Sequence, residues 1–447
     1  MPLYFSLAEL ETILQPNLLQ ITGVDLNGSV LGITTDTRNV QPQELFIALV
    51  GENFDGHNFV ESAIEGGAIA VIVNRPLESL AVPQFIVKDT LVAYQQIARW
   101  WRDRFEIPVI GVTGSVGKTS TKELIAAVLG TQGKVLKTEG NFNNEIGVPK
   151  TLLQITEEHS YAVIEMAMRG LGEIALLTDI ARPTIGVITN VGTAHIGRLG
   201  SKEAIAQAKC ELLAQMPETS MAILNYDNSL LMETAQKVWQ GKTITYGLTG
   251  GDVQGTMNGD KITVAGQDFP LPLPGEHNAS NYLVAIAIAQ NLKIDLALLI
   301  AGLQVQLPQG RSRRYDLPDD VVVLDETYNA GLESMLAAVQ MLKETPGKRH
   351  IAVLGTMKEL GEHSFQLHRQ VGAKAQELNL DLLMVLADEA ATREMIQGAT
   401  GIETECFSDR ATLTSKLKQV IRPGDRILCK ASNSVGLNQV VEELIKI

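Results

Sequence analysis

The sequence predicts an α/β protein of three domains: a mixed α/β domain first, a central parallel-sheet domain of the phosphate-loop type, and a Rossmann-like domain last. Three observations carry this. The chain has 447 residues, enough for roughly three domains at about 150 residues each. Short apolar runs alternate with helical patterns after the first hundred residues, as in a parallel sheet covered on both faces. A glycine-rich turn joins one of those strands to the helix behind it, at residues 113–120.

In the first domain, 1–106, LLQITGV, SVLGITT, LFIALV and AIAVIV read as strands, and NFVESAIEGG reads as a helix. The longer helical pattern LVAYQQIARWWRDRF leads to Ile107-Pro108 and stops there, because proline disfavours helix in the residue before it. The second domain, 107–312, opens on the strand VIGV and the helix TKELIAAVLG. YAVIEM, TIGVIT and MAILNY are its further buried strands. LPQGRSRR, residues 307–314, is a linker candidate whose Arg313 and Arg314 are read as solvated. The third domain, 313–447, repeats the pattern with VVVLDE, HIAVLGT, LLMVLAD and RILCKAS.

Charge and cysteine content narrow the function. The chain has 37 Lys and Arg against 51 Asp and Glu, a formal charge of −14. Broad nucleic-acid binding needs a basic surface and is not expected. A phosphate held locally by backbone amides is compatible with that charge. Cys210, Cys406 and Cys429 are far apart and odd in number, so neither a disulfide framework nor a metal spacing follows, and a reducing compartment is expected. The segment MPLYFSLAEL has no basic stretch followed by an apolar core, and no run approaches 18 apolar residues. A cytoplasmic protein without a membrane span is the expectation.

TGSVGKTS, comprising Thr113, Gly114, Ser115, Val116, Gly117, Lys118, Thr119 and Ser120, is the strongest signal. It follows a strand and opens a helix. The two glycines permit a tight turn that aims N–H groups at phosphate oxygens. Lys118 can reach the β and γ phosphates, the Thr119 hydroxyl can bind Mg²⁺, and the helix N-terminus adds a favourable dipole. The usual first glycine of such loops is replaced by Val112. The alternative is an ordinary glycine-containing strand–helix turn.

TGSVGKTSTK, EGNFNNEIGVPKTLL, YAVIEMAMRGLGEI, TNVGTAHI, PLPGEHNASN and LDETYNAGLESM, in that order, resemble the Mur ligase superfamily. The shorter TGxxGKT loop of that family accounts for Val112. NFNNEIGVP, DxxYNA and LGTMKELGEHS resemble the branch that joins D-alanyl-D-alanine to UDP-N-acetylmuramoyl-tripeptide with ATP. TTDTRNVQPQELFIALVGENFDGHNF resembles the UDP-sugar domain of such ligases. The resemblance implies an acyl-phosphate mechanism in peptidoglycan precursor synthesis, with ATP and Mg²⁺ as cofactors; a monomer is expected. A sister ligase adding another amino acid is the first alternative. The carboxylate-recognising DNPR motif of the diamino-acid enzyme is absent. An inactive nucleotide-binding protein is the second.

The same resemblance implies site residues. Glu165, ending YAVIEM, would hold the metal shared with Thr119. His195 in TNVGTAHIG and Lys209 in AIAQAKCELL would serve a second metal, Lys209 as a CO₂-derived carbamate; Lys202 is its competitor. Lys118, Glu165, His195 and Lys209 form the catalytic set. His277, Asn278, Asn281, Arg311, Asp325 and Tyr328 would contact ATP, although Asn278 also reads as a helix cap. Asn141, Asn143 and Asn144 would contact the muramyl peptide. Asp36, Thr37, Arg38, Asn53, Asp55, Gly56 and His57 would contact the uridine diphosphate. Glu326, Asn329, Lys430 and Ser432 would face the dipeptide. Glu326, Gly331, Thr356 and the KASN run from Lys430 to Asn433 depart from the family's usual residues. His159, His350, His363 and His368 are read as structural histidines.

Overall fold

The computed structural model describes residues 3–15, 17–22, 26 and 28–446. Gly23 and Val24, which end the first apolar run, and Met1-Pro2 of the N-terminal segment lie outside them. Three large sheets follow one another along the chain, separated by helices, and the molecule is an α/β protein.

The first sheet contains β1 (Leu18–Thr22), β2 (Gly32–Thr34), β3 (Glu44–Ile47), β4 (Ala70–Val73) and β5 (Gln84–Val87). They lie in the order β1-β5-β4-β3-β2. β1 is antiparallel to β5, and the other pairs are parallel. Leu45, Ile47, Ile72 and Phe85 bury into one core, while Phe46, Val71, Val73 and Ile86 bury into another. Alternate side chains of a strand point to opposite faces, so covering both faces demands the uninterrupted apolar runs seen in the sequence.

The second sheet has nine strands. In chain order they are β6 (Val109–Thr113), β7 (Lys134–Lys137), β8 (His159–Glu165), β9 (Ile185–Ile188), β10 (Met221–Asn225), β11 (Lys242–Gly247), β12 (Val253–Asn258), β13 (Lys261–Val264) and β14 (Gln267–Pro270). Their spatial order is β7-β8-β6-β9-β10-β11-β12-β13-β14. β7 through β12 pair in parallel, and β12, β13 and β14 form antiparallel hairpins. The connections leave β6 to one side first and to the other later. The carboxyl ends of β8, β6 and β9 therefore converge at a topological switch point, where open α/β sheets bind ligands.

The third sheet holds β15 (Arg313–Leu317), β16 (Val321–Asp325), β17 (Arg349–Gly355), β18 (Leu382–Leu386), β19 (Thr404–Phe407) and β20 (Asp425–Lys430). Its order is β15-β16-β20-β17-β18-β19, with only β15 antiparallel to its neighbour.

Several elements differ from the sequence reading. SVLGITT is not one strand: Ser29–Val30 pairs with Phe5–Ser6, and the chain enters the first sheet only at Gly32. LFIALV ends at Ile47, and Val50–Gly51 forms a separate hairpin with Phe54–Asp55. The 307–314 linker is partly strand, because Arg313 and Arg314 begin β15; both remain exposed. The β12–β14 extension adds three strands to those named from the sequence, and Asn258-Gly259 is the hairpin-turn signal for it.

Helix α1 (Thr90–Arg102) joins the first sheet to the second. It ends at Arg102, before Ile107-Pro108, as the chain tightens through Arg104 N–H to Trp101 O and Phe105 N–H to Arg102 O. Trp101 is buried, donates its indole N–H to Ile155 O at 3.0 Å, and packs edge-on against Phe105. The buried Arg102 guanidinium spends its donors on the carbonyls of Ala181, Phe105 and Arg182. Replacing Trp101 by Ala is expected to cost about 3–5 kcal/mol. Scanning calorimetry should show a lower first transition in Trp101→Ala; an unchanged transition would mean this junction contributes nothing.

Candidate active site

The phosphate loop fills the gap between β6 and helix α2 (Lys118–Leu129). Its backbone needs both glycines. Gly114 has φ +154° and Gly117 has φ +82°, and an added Cβ would fall 1.8 Å from Thr189 Oγ1 or 2.8 Å from Asn281 Oδ1. The loop is pinned to the turn after β9. Ser115 N–H donates to Asn190 O, Val116 N–H donates to Asn190 Oδ1, and Thr189 Oγ1 donates to Val116 O. The amides of Ser115 and Val116 are thus already committed. The first backbone bond of α2 runs from Thr121 N–H to Gly117 O, so the amides of Lys118, Thr119 and Ser120 have no partner among the described residues and carry the helix's positive end.

Lys118 donates to Gly114 O at 2.8 Å, which leaves two of its three ammonium donors free. Burial lowers its pKa, and Glu165 opposes the shift. Thr119 Oγ1 donates to Glu165 Oε2 at 2.9 Å. The other oxygen of Glu165 accepts from Asn143 Nδ2 at 2.8 Å. Lys122, also buried, lies 3.8 Å from the Glu165 carboxylate. Three residues read from separate motifs, Thr119, Asn143 and Glu165, therefore meet at one carboxylate where β8 ends beside β6.

Mg²⁺ takes few protein ligands and fills its octahedron with phosphate and water. The Thr119 hydroxyl and the Glu165 carboxylate are hard oxygens and fit that habit. Among the described residues, no three of His, Cys, Asp and Glu gather as a ready-made metal cage.

Around the loop opens a cavity of about 840 Å³, walled by the second and third sheets. Ser115 through Ser120, His195, His277, Asn281, Arg311, Glu326, Tyr328, Asn329, Lys430 and Ser432 all line it. Arg311 lies 3.9 Å over the Tyr328 ring, a cation–π pair on the wall opposite the loop. Its buried Nε has no hydrogen-bond partner among the described residues. Glu326 accepts from Ser312 N–H and Oγ at 3.0 Å. Lys430 donates to Asn329 O at 2.8 Å, and burial lowers its pKa. His277 packs against Gly275 at the start of α3 (Glu276–Asn291), and burial lowers its pKa too.

Other predicted residues are placed differently. Asp325 is buried behind the cavity wall, where its carboxylate accepts from Thr327 N–H and Oγ1; burial raises its pKa. Asn278 is not the cap of α3, which is Gly275; its amide donates to Pro274 O within the helix start. Asn144 accepts from Ile146 and Gly147 N–H, so its oxygen shapes the loop entering the helix Gly147–Leu152. Asn141 is exposed.

The first-domain set lies outside this cavity. His57 is buried with both ring nitrogens engaged, Nδ1 on Asp55 at 2.6 Å and Nε2 accepting from Asn74 N–H. Asp55 also pairs with Arg75. A Cβ at Gly56 would strike the Ala48 and Leu49 backbone, so packing alone demands glycine there. Arg38 pairs with Asp36 and is almost fully exposed; the pairing holds the Asp36 carboxyl down at about 2. Thr37 sits in the short turn between them, and Asn53 is exposed on the Val50–Asp55 hairpin.

Lys209 lies on α4 (Lys202–Gln215) and is 1% exposed. It has no hydrogen bond or ion pair among the described residues. Burial, with repulsion from Lys118, places its pKa well below the ordinary lysine value. Lys202, its competitor, is exposed on the first turn. His159, His350 and His368 are each hydrogen-bonded to neighbouring backbone. Sequence reasoning gave no role to Arg169, Asn190, Asn225, Glu333, Lys358 or Glu359, all of which line the cavity. Glu333 and Glu359 lay within motifs already singled out; the missing signal was their reach to another domain.

A glycine-rich loop at a parallel-sheet switch point, facing a second α/β unit across a cavity, defines a phosphate-loop protein with an interdomain nucleotide site. Family models agree along the chain: "Mur ligase family, catalytic domain" at residues 29–99, "Mur ligase middle domain" at 112–289, and "Mur ligase, glutamate ligase domain" at 310–433. The chain belongs to the Mur ligase family. It is 60% identical, over 98% of its length and 97% of the relative's, to a Synechocystis protein named UDP-N-acetylmuramoyl-tripeptide--D-alanyl-D-alanine ligase. A crystal structure of MurF from Acinetobacter baumannii superposes with TM-score 0.91 at 30% identity, covering all of both chains. MurF ligase from Thermotoga maritima, solved in complex with ADP, superposes with TM-score 0.84 at 29% identity over 93% of this chain and 97% of that one.

Proposed function

We propose that this protein is the ATP-dependent ligase that joins D-alanyl-D-alanine to UDP-N-acetylmuramoyl-tripeptide in peptidoglycan precursor synthesis. The observation that carries the chemistry is the Thr119–Glu165 contact under a lysine-bearing phosphate loop, inside a cavity whose far wall is another domain. The likeness to the named relatives supports the choice of substrates. No helix among the described residues is long and apolar enough to cross a membrane. Action in the cytoplasm, as a monomer, belongs to the same proposal.

A carboxylate is a poor electrophile at neutral pH, so it needs a leaving group. An acceptor carboxylate oxygen attacks the γ-phosphorus, the bond to the ADP oxygen breaks, and an acyl phosphate forms. The amine then attacks the acyl carbon, loses a proton, and expels inorganic phosphate. The first step brings an anion to a polyanion, so positioning and fixed positive charge carry the catalysis. Lys118 and the free amides at 118–120 bind the phosphates. Arg311 brings a guanidinium from the domain junction. Bound Mg²⁺ would neutralise phosphate charge, and Thr119 and Glu165 would hold it, with Asn143 fixing the carboxylate. The Tyr328 ring and Asn281 bound the nucleotide space. Lys430, Asn329, Glu326 and Ser432 wall the region read for the dipeptide. Lys209, as the neutral amine its burial favours, would attack CO₂ through its nitrogen, release one N–H proton to solvent, and present the resulting carbamate toward the His195 side of the site.

Phosphate release measured with UDP-N-acetylmuramoyl-tripeptide and a panel of amines tests this reading. D-alanyl-D-alanine is expected to be the fastest amine. Faster turnover with a free diamino acid or glutamate would reassign the chain to a sister ligase. Nucleotide binding with no amide product from any amine would make it inactive.

A further inference from the structure

The turn after β9 carries Asn190, Thr193 and His195, and the third sheet's domain grips it at three points. The Glu333 carboxylate, at the start of the helix Leu332–Glu344, accepts from Thr193 N–H at 2.8 Å and Thr193 Oγ1 at 3.0 Å. Glu359, in the loop after β17, accepts from Gly197 N–H through its backbone carbonyl at 3.2 Å. Its side chain lies 2.6 Å from His195 Nδ1 and 3.3 Å from Arg198. The two backbones touch here: a Cβ on Gly197 would sit 2.5 Å from Gly361 N. His195 and Glu359 both hold left-handed conformations, φ +66° and +63°, which non-glycine residues rarely adopt. Such outliers persist where surrounding structure over-determines them, and they cluster at functional sites.

An ionised carboxylate can only accept hydrogen bonds, so the proton of a neutral His195 must sit on Nδ1. Nε2 then keeps its lone pair, has no partner among the described residues, and belongs to a side chain that lines the nucleotide cavity. A second group that holds one imidazole nitrogen usually decides what the other can do.

We propose that Glu359 is a positioning residue: it fixes the Nδ1–H tautomer of His195, so that Nε2 faces the cavity as a lone-pair donor only when the third domain is docked on this turn. The central domain therefore lacks one working group until the domains meet. The inference rests on the proposed function only in taking His195 to act in the ligase site.

The test uses the full-length protein, with histidine ¹⁵N spectra recorded without nucleotide or substrates, and turnover measured separately. Wild type should show His195 as the Nδ1–H tautomer. Glu359→Ala should shift it toward the Nε2–H form and lower kcat about 10–100-fold, with the KM for ATP changing far less. Glu359→Gln, whose amide oxygen can still accept from Nδ1–H, should keep the tautomer and recover part of that loss. An Nε2–H tautomer in wild type overturns the proposal, and this reading stands even where Glu359→Ala does not fold. Equal losses of kcat in the Ala and Gln variants would overturn it as well. Wild type that makes no amide would instead sink the proposed function and leave the tautomer result standing.

Discussion

Lys118→Ala should abolish ATP-dependent phosphate release, lowering kcat on the order of 10³-fold or more. Its ammonium is the charged donor of the loop, tied down among the described residues by only the Gly114 carbonyl, with two donors left for phosphate oxygens. Charge that develops on the transferring phosphoryl group is stabilised by fixed donors that need no reorganisation. The variant should fold, because Lys118 is half-buried and its removal strands no buried carboxylate: Glu165 keeps Thr119, Asn143 and Lys122. Single-turnover ADP formation, beside an unchanged thermal transition, checks this. Full turnover in Lys118→Ala would remove the phosphate loop from the mechanism.

The second large effect concerns Lys209, where function and stability oppose each other. Lys209→Met should be inactive yet more stable. A buried amine without a partner among the described residues must either give up its proton or stay charged in apolar surroundings; either costs free energy that an apolar side chain of similar length does not, and a gain of about 1–3 kcal/mol is expected. The pH dependence fixes the sign. Burial lowers the folded pKa, so between the folded and unfolded values the unfolded chain binds more protons, and wild-type stability rises with pH. The penalty is complete below the folded pKa and vanishes above the unfolded one. The stability advantage of Lys209→Met should therefore be largest at acid pH and shrink on the alkaline side, a trend calorimetry can follow. Lys209→Ala supplemented with a short-chain carboxylic acid tests the carbamate role: recovered turnover supports a carboxylate at this place. An active Lys209→Met enzyme would show that no such anion is needed.

The phosphate loop was legible because its chemistry depends on backbone shape, and only certain residues allow that shape: Gly114 and Gly117 leave no room for a side chain. Glu165 was legible as a charge ending an apolar strand. The burial of Lys209 was present in the sequence as periodicity, since Ile205, Leu212 and Leu213 lie one helical turn away on the same face and are all buried. Asp325 and Glu326 could not be told apart, because a strand covered on both faces shows no alternation to say which carboxylate turns inward. The resemblance names Asn144 as a substrate contact, and its bonds from the Ile146 and Gly147 amides add a loop-shaping role that no sequence pattern distinguishes from that one. Glu333 and Glu359 were out of reach for another reason: their partners lie 140 and 164 residues away, across a domain junction that no local pattern encodes. The helix Thr90–Arg102 shows the same limit. Its sequence places it with the first sheet, while Trp101 and Arg102 tie it to the second.

In the acyl-phosphate route an acceptor carboxylate is phosphorylated by ATP before the amide forms. An acceptor labelled with ¹⁸O in its reacting carboxylate, incubated with the protein, ATP and D-alanyl-D-alanine, tests this most directly. One ¹⁸O atom should leave in the inorganic phosphate, and the lengthened product should retain the other. Phosphate free of label, released while product forms, would contradict the acyl-phosphate route.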